Sequence, residues 1–170
     1  HPHCRRQRQM CIRDSYGGGN DIWNTNDQFR YAYQKLNTDF SFSIKIDSLY
    51  NVHQYAKAGL MIRKSLNSNS AHGLINMFPS GNTEFGYRTN NGETMKAKSG
   101  PQIDLTDARL KMKKSGKIIE FFVLSSNDWQ KLGELNVSKW GKSFYVGIAT
   151  LSHDNSQLTK AKYSEIVLTK

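Results

Sequence analysis

Phe40-Ser41-Phe42-Ser43-Ile44-Lys45-Ile46-Asp47 decides the fold, because apolar and polar residues alternate through it without a break. Successive side chains of an extended chain point to opposite faces, so a period of two means a strand with one buried face. Phe29, Tyr31 and Tyr33 alternate in the same way with Gln28, Arg30, Ala32 and Gln34. Leu110 and Met112 alternate with Arg109, Lys111 and Lys113, and Ser115-Gly116 then reads as a hairpin turn into 117–125. That next strand carries Ile119, Phe121 and Val123 on one face and Ile118, Phe122 and Leu124 on the other. Such a pattern is expected of a central strand covered on both sides.

Further strands are expected at 56–64, 72–78, 83–89, 143–151 and 160–168, separated by Asn/Ser/Gly turn clusters such as Pro79-Ser80-Gly81-Asn82 and Asn90-Asn91-Gly92. The stretch 92–106 is the least regular and reads as a long surface loop. No segment sustains a 3.6-residue period. The expectation is an all-β chain folded as one two-sheet antiparallel β-sandwich.

Residues 5–14 read Arg-Arg-Gln-Arg-Gln-Met-Cys-Ile-Arg-Asp. Back-translated in a single frame, they spell the adapter of transposase-based sequencing libraries. Residues 1–15 are therefore expected to be a non-native, disordered segment, with 16–170 as the single β-sandwich domain. On that reading the natural start of the protein lies elsewhere. Of the net charge of +10, Arg5, Arg6, Arg8 and Arg13 against Asp14 contribute three, leaving seven on the domain. Cys4 and Cys11 also fall in this segment, so the domain has no disulfide, no thiolate metal site and no cysteine nucleophile. Its lysines are scattered rather than blocked, which reads as a solvated surface and not as a nucleic-acid footprint. No apolar run approaches the roughly 20 residues of a membrane span.

Several segments carry a resemblance. Gly18-Gly19-Asn20-Asp21-Ile22-Trp23 leads into Asp27-Gln28-Phe29, and Tyr55-Ala56-Lys57-Ala58-Gly59-Leu60-Met61-Ile62-Arg63-Lys64-Ser65-Leu66 follows, with His72 beyond it. Tyr145-Val146-Gly147-Ile148-Ala149 and Ser152-His153 stand near the end. Together these resemble the concanavalin A-like (laminin-G-like) jelly-roll domains found as modules of secreted bacterial proteins. The resemblance implies a jelly roll over about 17–168, an extracellular or cell-surface location, and tethering to other domains. Where those domains have a Ser-x-Asp-Gly-x-x-Trp hairpin, this chain has the shorter Ser125-Ser126-Asn127-Asp128-Trp129.

Glycoside hydrolysis needs two carboxyl groups about 5–9 Å apart. The Glu-x-Asp-x-x-Glu of jelly-roll glucanases is missing, and Glu84, Glu93, Glu120, Glu134 and Glu165 stand alone. No serine has an elbow motif beside His53, His72 or His153. The oxygen-rich run Asp21, Asn24, Asn26, Asp27 beside Gly17-Gly18-Gly19 could hold a structural calcium through Asp21 and Asp27, or could simply bond its own backbone. No other cofactor is expected. A glycan face needs rings to stack on sugars and polar groups to bond hydroxyls. Strand parity puts Arg63, His72, Asn76 and Arg88 together on one sheet face, with Trp23 and Tyr31 as candidate rings. The expected function is a noncatalytic extracellular accessory module that binds a polysaccharide or another cell-surface ligand. The alternatives are a purely structural or protein-interaction module, and a glycoside hydrolase.

Overall fold

A computed structural model describes residues 9, 10 and 13–170. The described chain is all strand and turn. In order, the strands are β1 (Gln9–Met10), β2 (Arg13–Gly19), β3 (Ile22–Trp23), β4 (Asn26–Asp27), β5 (Arg30–Leu36), β6 (Phe40–Leu49), β7 (Lys57–Arg63), β8 (His72–Met77), β9 (Thr83–Arg88), β10 (Lys96–Ser99), β11 (Ala108–Ser115), β12 (Ile118–Ser125), β13 (Asp128–Asn136), β14 (Phe144–Leu151) and β15 (Asp154–Thr169). No helix among the described residues is long and apolar enough to cross a membrane.

Two antiparallel sheets form the sandwich. The first runs β15-β6-β11-β12-β13, with β1 and β2 paired along the outer edge of β15. The second runs β10-β9-β8-β7-β14-β5. The alternating stretch becomes β6, and Phe40, Phe42, Ile44 and Ile46 are all buried between the sheets. Full burial of each such side chain stabilises the fold by roughly 1.5–3 kcal/mol. Leu60 and Ile62 of β7, Ile75 and Met77 of β8, and Ile119, Phe121 and Val123 of β12 complete this layer. The expected turn at Ser115-Gly116 joins β11 to β12, with Gly116 at φ +59. The shortened hairpin closes on Ser126 and Asn127 at φ +51 and +66, the two-residue turn whose twist suits antiparallel strands.

Three expectations need correcting. Strand β12 is covered on one face only, since Ile118, Phe122 and Leu124 are half-buried on the outside of the first sheet. Lys111 instead lays its ammonium 4.7 Å from the Phe122 ring and 4.4 Å from Trp129, so long amphipathic side chains shield the apolar face. The stretch 92–106 is no continuous loop, because Lys96–Ser99 pairs with β9 as an edge strand. Its exposed lysines are what an edge carries to discourage further pairing. Finally, ordered pairing starts before residue 16. Asp14 and Ser15 lie opposite Lys162 and Ala161, and Gln9 and Met10 lie opposite Val167 and Ile166. Backbone pairing to a free edge asks little of sequence. The expectation for residues 1–8, 11 and 12 lies outside the described residues.

The outer face of the second sheet is covered too, over its central strands. The β3–β4 hairpin lies across it, and Ile22, Met61, Leu74, Met95, Ala149 and Leu151 form a second apolar cluster beneath. One carboxylate holds the hairpin down. Asp27 Oδ2 accepts from Arg63 Nη1 at 2.6 Å and from Arg88 Nη1 at 2.9 Å, and Oδ1 accepts from Arg88 Nη2 at 3.0 Å. Arg88 Nη2 also donates to Asn24 O at 2.8 Å, and Arg63 Nη2 to Asn67 O at 2.6 Å. Removing one partner of a buried ion cluster leaves uncompensated charge and costs about 3–5 kcal/mol. Asp27→Asn keeps the side chain's shape while discarding its charge. It should lower the unfolding free energy by that order, read as a shift in the urea midpoint followed by far-UV circular dichroism.

Candidate functional site

The residues expected to form a glycan face are brought together but not exposed. Arg63, His72 and Arg88 surround Asp27 at no more than 2% exposure. Strand parity placed them correctly on one face, yet that face is covered by the hairpin carrying Asp27. Asn76 is fully buried on the same face, opposite Glu84 of β9, and its amide has no hydrogen-bond partner among the described residues. Tyr31 is on β5, where its hydroxyl donates to Met61 O at 3.0 Å and to Tyr145 O at 3.1 Å. Burial pushes that phenol above its ordinary range, with Tyr33 adding and Arg63 opposing. Of the six candidates, only Trp23 stays substantially open, at 39% exposure. Asp21 and Asp27, the residues offered for calcium, both face cationic side chains of the chain itself. Both Asp27 oxygens are occupied by guanidinium groups, while Asp21 Oδ1 accepts from Lys57 Nζ at 2.8 Å. No group of three or more His, Cys, Asp or Glu converges among the described residues.

The open site lies beside this cluster. A cleft of about 970 Å³ is cut into the end of the same face. Its floor is Lys57 of β7 with Thr83 and Glu84 of β9. The hairpin supplies Asp21 and Trp23, the loop before β7 supplies Asn51, Gln54 and Tyr55, and the turn after β8 supplies Phe78, Ser80 and Asn82. His153, at φ +61 in the turn after β14, closes one side. The His153 ring lies 4.4 Å from that of His53, and Tyr55 meets His153 edge-on at 5.5 Å. Three aromatic rings therefore buttress one wall, with Tyr55 half exposed.

Lys57 organises the floor. Its ammonium is nearly buried, 2.8 Å from Asp21 Oδ1 and 4.0 Å from Glu84 Oε1, and it donates to Ile22 O at 3.2 Å. The Trp23 and Phe78 rings lie 5.6 and 5.9 Å from it, within cation–π range. Burial raises the Glu84 carboxyl above its usual range, opposed by Lys57 and reinforced by Asp21. Glu84 Oε1 is buried without a hydrogen-bond partner among the described residues. Sequence reasoning treated Glu84 as isolated and passed over Lys57 and Tyr55. Asp21 and Glu84 are far apart in the chain, so no local spacing marks the pair. The one available signal was Lys57, a charged residue in a strand otherwise buried on both faces.

No protein-family profile matches the chain, and no curated protein matches it. Solved structures do. A functionally unknown protein from Saccharomyces cerevisiae matches with a TM-score of 0.71 at 12% identity, covering 93% of this chain and 87% of that one. The GH43 BlXynB protein from Bacillus licheniformis matches with a TM-score of 0.67 at 12% identity, covering 91% of this chain and 32% of that one. The carbohydrate binding module CBM66 from Bacillus subtilis matches with a TM-score of 0.56 at 14% identity, covering 96% and 98%. This chain thus spans about a third of the GH43 chain's length. At such identities the likeness concerns the fold, a jelly-roll β-sandwich of the concanavalin A-like kind.

His72 offers a test of the buried cluster. Burial pushes it down from 6.5 to about 3, Arg63 and Arg88 reinforcing this and Asp27 opposing it. Between those two values the folded protein binds fewer protons here than the unfolded chain does. The stabilising contribution is therefore complete above pH 6.5 and is lost as pH falls toward 3. From pH 7 to pH 5 the wild type should lose about 2 kcal/mol more unfolding free energy than His72→Gln. Urea titrations of both proteins at the two pH values measure that difference.

Proposed function

We propose that this chain is a noncatalytic carbohydrate-binding module and that its glycan seat is the Trp23–Tyr55 cleft. The observation that carries the reading is the pairing of open rings with fixed polar groups. Trp23 and Tyr55 present flat apolar surface to solvent, and Asp21, Lys57 and Glu84 stand beside them. Sugars have apolar ring faces and polar edges, and a cleft of this composition meets both. Concave sites that combine aromatic walls with a few placed polar groups are the usual ligand seats. The match to the whole of a carbohydrate binding module, and to only a third of a GH43 chain, supports an accessory role. An extracellular or cell-surface location, with tethering to further domains, fits that role.

A second reading, glycoside hydrolysis, draws on one observation. Asp21 and Glu84 both face Lys57, so two carboxyl groups share one cleft. The ammonium weighs against it, because Asp21 Oδ1 already accepts from Lys57, and Oδ2 lies 3.4 Å from His153 Nδ1. Hydrolysis would liberate reducing ends from a bound polysaccharide, and the binding reading expects none.

Affinity electrophoresis through gels containing neutral polysaccharides, with a glycan array alongside, tests the proposal. At least one glycan should retard the wild type. Trp23→Ala and Tyr55→Ala should each weaken that interaction about tenfold or more, as expected for aromatic anchors, with unchanged circular dichroism. A folded wild type that is retarded by no glycan sinks the reading.

A further inference from the structure

We infer that the cleft selects neutral glycans over charged ones, and that the amides of Asn51, Gln54 and Asn82 are the groups that bond their hydroxyls. The inference rests on the carbohydrate-binding reading of the cleft and names the class of sugar it takes. The charged groups of the cleft are engaged with one another. Lys57 donates to Asp21 and to the Ile22 carbonyl, and Glu84 lies 4.0 Å from the same ammonium. Asp21 Oδ2 in turn lies 3.4 Å from His153 Nδ1. A uronate or sulfated sugar would meet the carboxylates of Asp21 and Glu84 and find Lys57 engaged. A protonated amino sugar would meet carboxylates that already face Lys57 and His153. Either ion would lose water of hydration on entering and gain no counter-ion, which is a net cost.

The uncommitted hydrogen-bonding groups are neutral. Asn51, Gln54 and Asn82 line the cleft as exposed residues, and their side-chain amides have no partner among the described residues. The loops that carry them are pinned through other atoms. In the turn after β8, Phe78 N donates to Asn82 O at 2.9 Å, Asn82 N to Ser80 Oγ at 3.2 Å, and Gln102 Nε2 to Ser80 O at 2.9 Å. In the loop before β7, Val52 N donates to Tyr50 O and Ala56 N to His53 O, both at 3.0 Å, and Tyr55 N donates to His53 Nδ1 at 3.1 Å. Loops fixed in this way present their amides with little backbone left to order, and such preorganisation raises affinity. A primary amide both donates and accepts, as a sugar hydroxyl does, so each can match a hydroxyl in either sense. The rings of Trp23 and Tyr55 supply the apolar contact that a neutral sugar face needs.

Isothermal titration with hexamers tests this. The neutral set is cello-, manno-, xylo- and N-acetylglucosamine oligomers, and the charged set is galacturonate, mannuronate and glucosamine oligomers. A glycan array with neutral, uronate, sulfated and amino glycans extends the comparison. A chain of net charge +10 can hold polyanions elsewhere on its surface, so only binding that Trp23→Ala or Tyr55→Ala weakens counts as cleft binding. In that mode at least one neutral glycan should bind about tenfold or more tightly than every charged one. Its affinity should stay within about twofold from low salt to about 1 M, where the screening length is only about 3 Å. Asn51→Ala, Gln54→Ala and Asn82→Ala should each weaken it about two- to tenfold, the usual effect of one neutral hydrogen bond, with unchanged circular dichroism. A charged glycan that binds in the cleft as tightly as any neutral one overturns the inference and leaves the cleft reading standing. So does a steep fall of the neutral affinity with salt, or neutral binding that none of the three amide variants weakens. If no glycan of the series or the array binds through Trp23 or Tyr55, both fall. The wild-type rank order decides the matter even if an amide variant does not fold.

Discussion

The carboxylate of Asp27, gripped by Arg63 and Arg88, is the constraint on which the functional half of the molecule depends. The sandwich core would form without it, since that layer is apolar side chains from two sheets. The hairpin of β3 and β4 would not be seated without it. Two residues per strand cannot make a stable element in water, and Ile22 is its only fully buried apolar side chain. Once Asp27 is clamped, Ile22 reaches the second apolar cluster, Asp21 reaches Lys57, and Trp23 stands at the lip of the cleft. A buried ion cluster is weak as a source of net stability, because desolvation consumes most of its attraction. What this one supplies is placement. Two guanidinium groups with fixed directions, also bonded to Asn24 O and Asn67 O, admit one position of the carboxylate between them.

His72 belongs to the same constraint. It lies 3.7 Å from Asp27 Oδ2 and 3.4 Å from Arg88 Nη1. Two arginines and one aspartate already leave a net positive charge buried there. A protonated imidazole would add a second, and burial keeps it neutral. The row of polar groups that looked like a ligand face is thus a structural keel beneath the hairpin. Next to it, Gly86 makes room for another covering element: a Cβ there would run into the end of the Met95 side chain. Gly19, at φ +122, lets the chain turn from β2 into the hairpin against the backbone of Gln28.

Much of this was legible in the sequence. The period of two located β6, β11, β12 and most of the second sheet. Parity sorted Leu60 and Ile62 from Met61 and Arg63 correctly, and the conflict between Leu74 and Ile75 correctly signalled a strand covered on both sides. Parity says which residues share a face; it does not say what lies over that face. Arg63, His72, Asn76 and Arg88 were therefore grouped rightly and read as exposed wrongly. The same limit misjudged β12, where apolar residues on both faces suggested burial and Lys111 and Trp129 give only partial cover. The pairing of Asp14 and Ser15 with β15 had no sequence signal at all. The cleft was least legible, because its walls come from four separate loops and its floor from strands that pair across the sheet.

Lys57 shows how the two halves meet. A buried lysine at the start of an apolar strand would ordinarily be a cost, since an ammonium loses its water on burial. Asp21, the Ile22 carbonyl and two rings replace that water, and all but Phe78 of these partners come from the hairpin that Asp27 holds. The dependence runs one way. Loss of the clamp would leave Lys57 with Phe78 and Glu84 alone, whereas loss of Lys57 would leave Arg63 and Arg88 on Asp27. The ammonium also fixes what the carboxylates can do. Asp21 gives an oxygen to Lys57, so it is tied as a hydrogen-bonding group rather than free as a base. Glu84, held at 4.0 Å, stays short of a donor. A floor built this way ties both acids to one ammonium, Asp21 by a hydrogen bond and Glu84 at longer range.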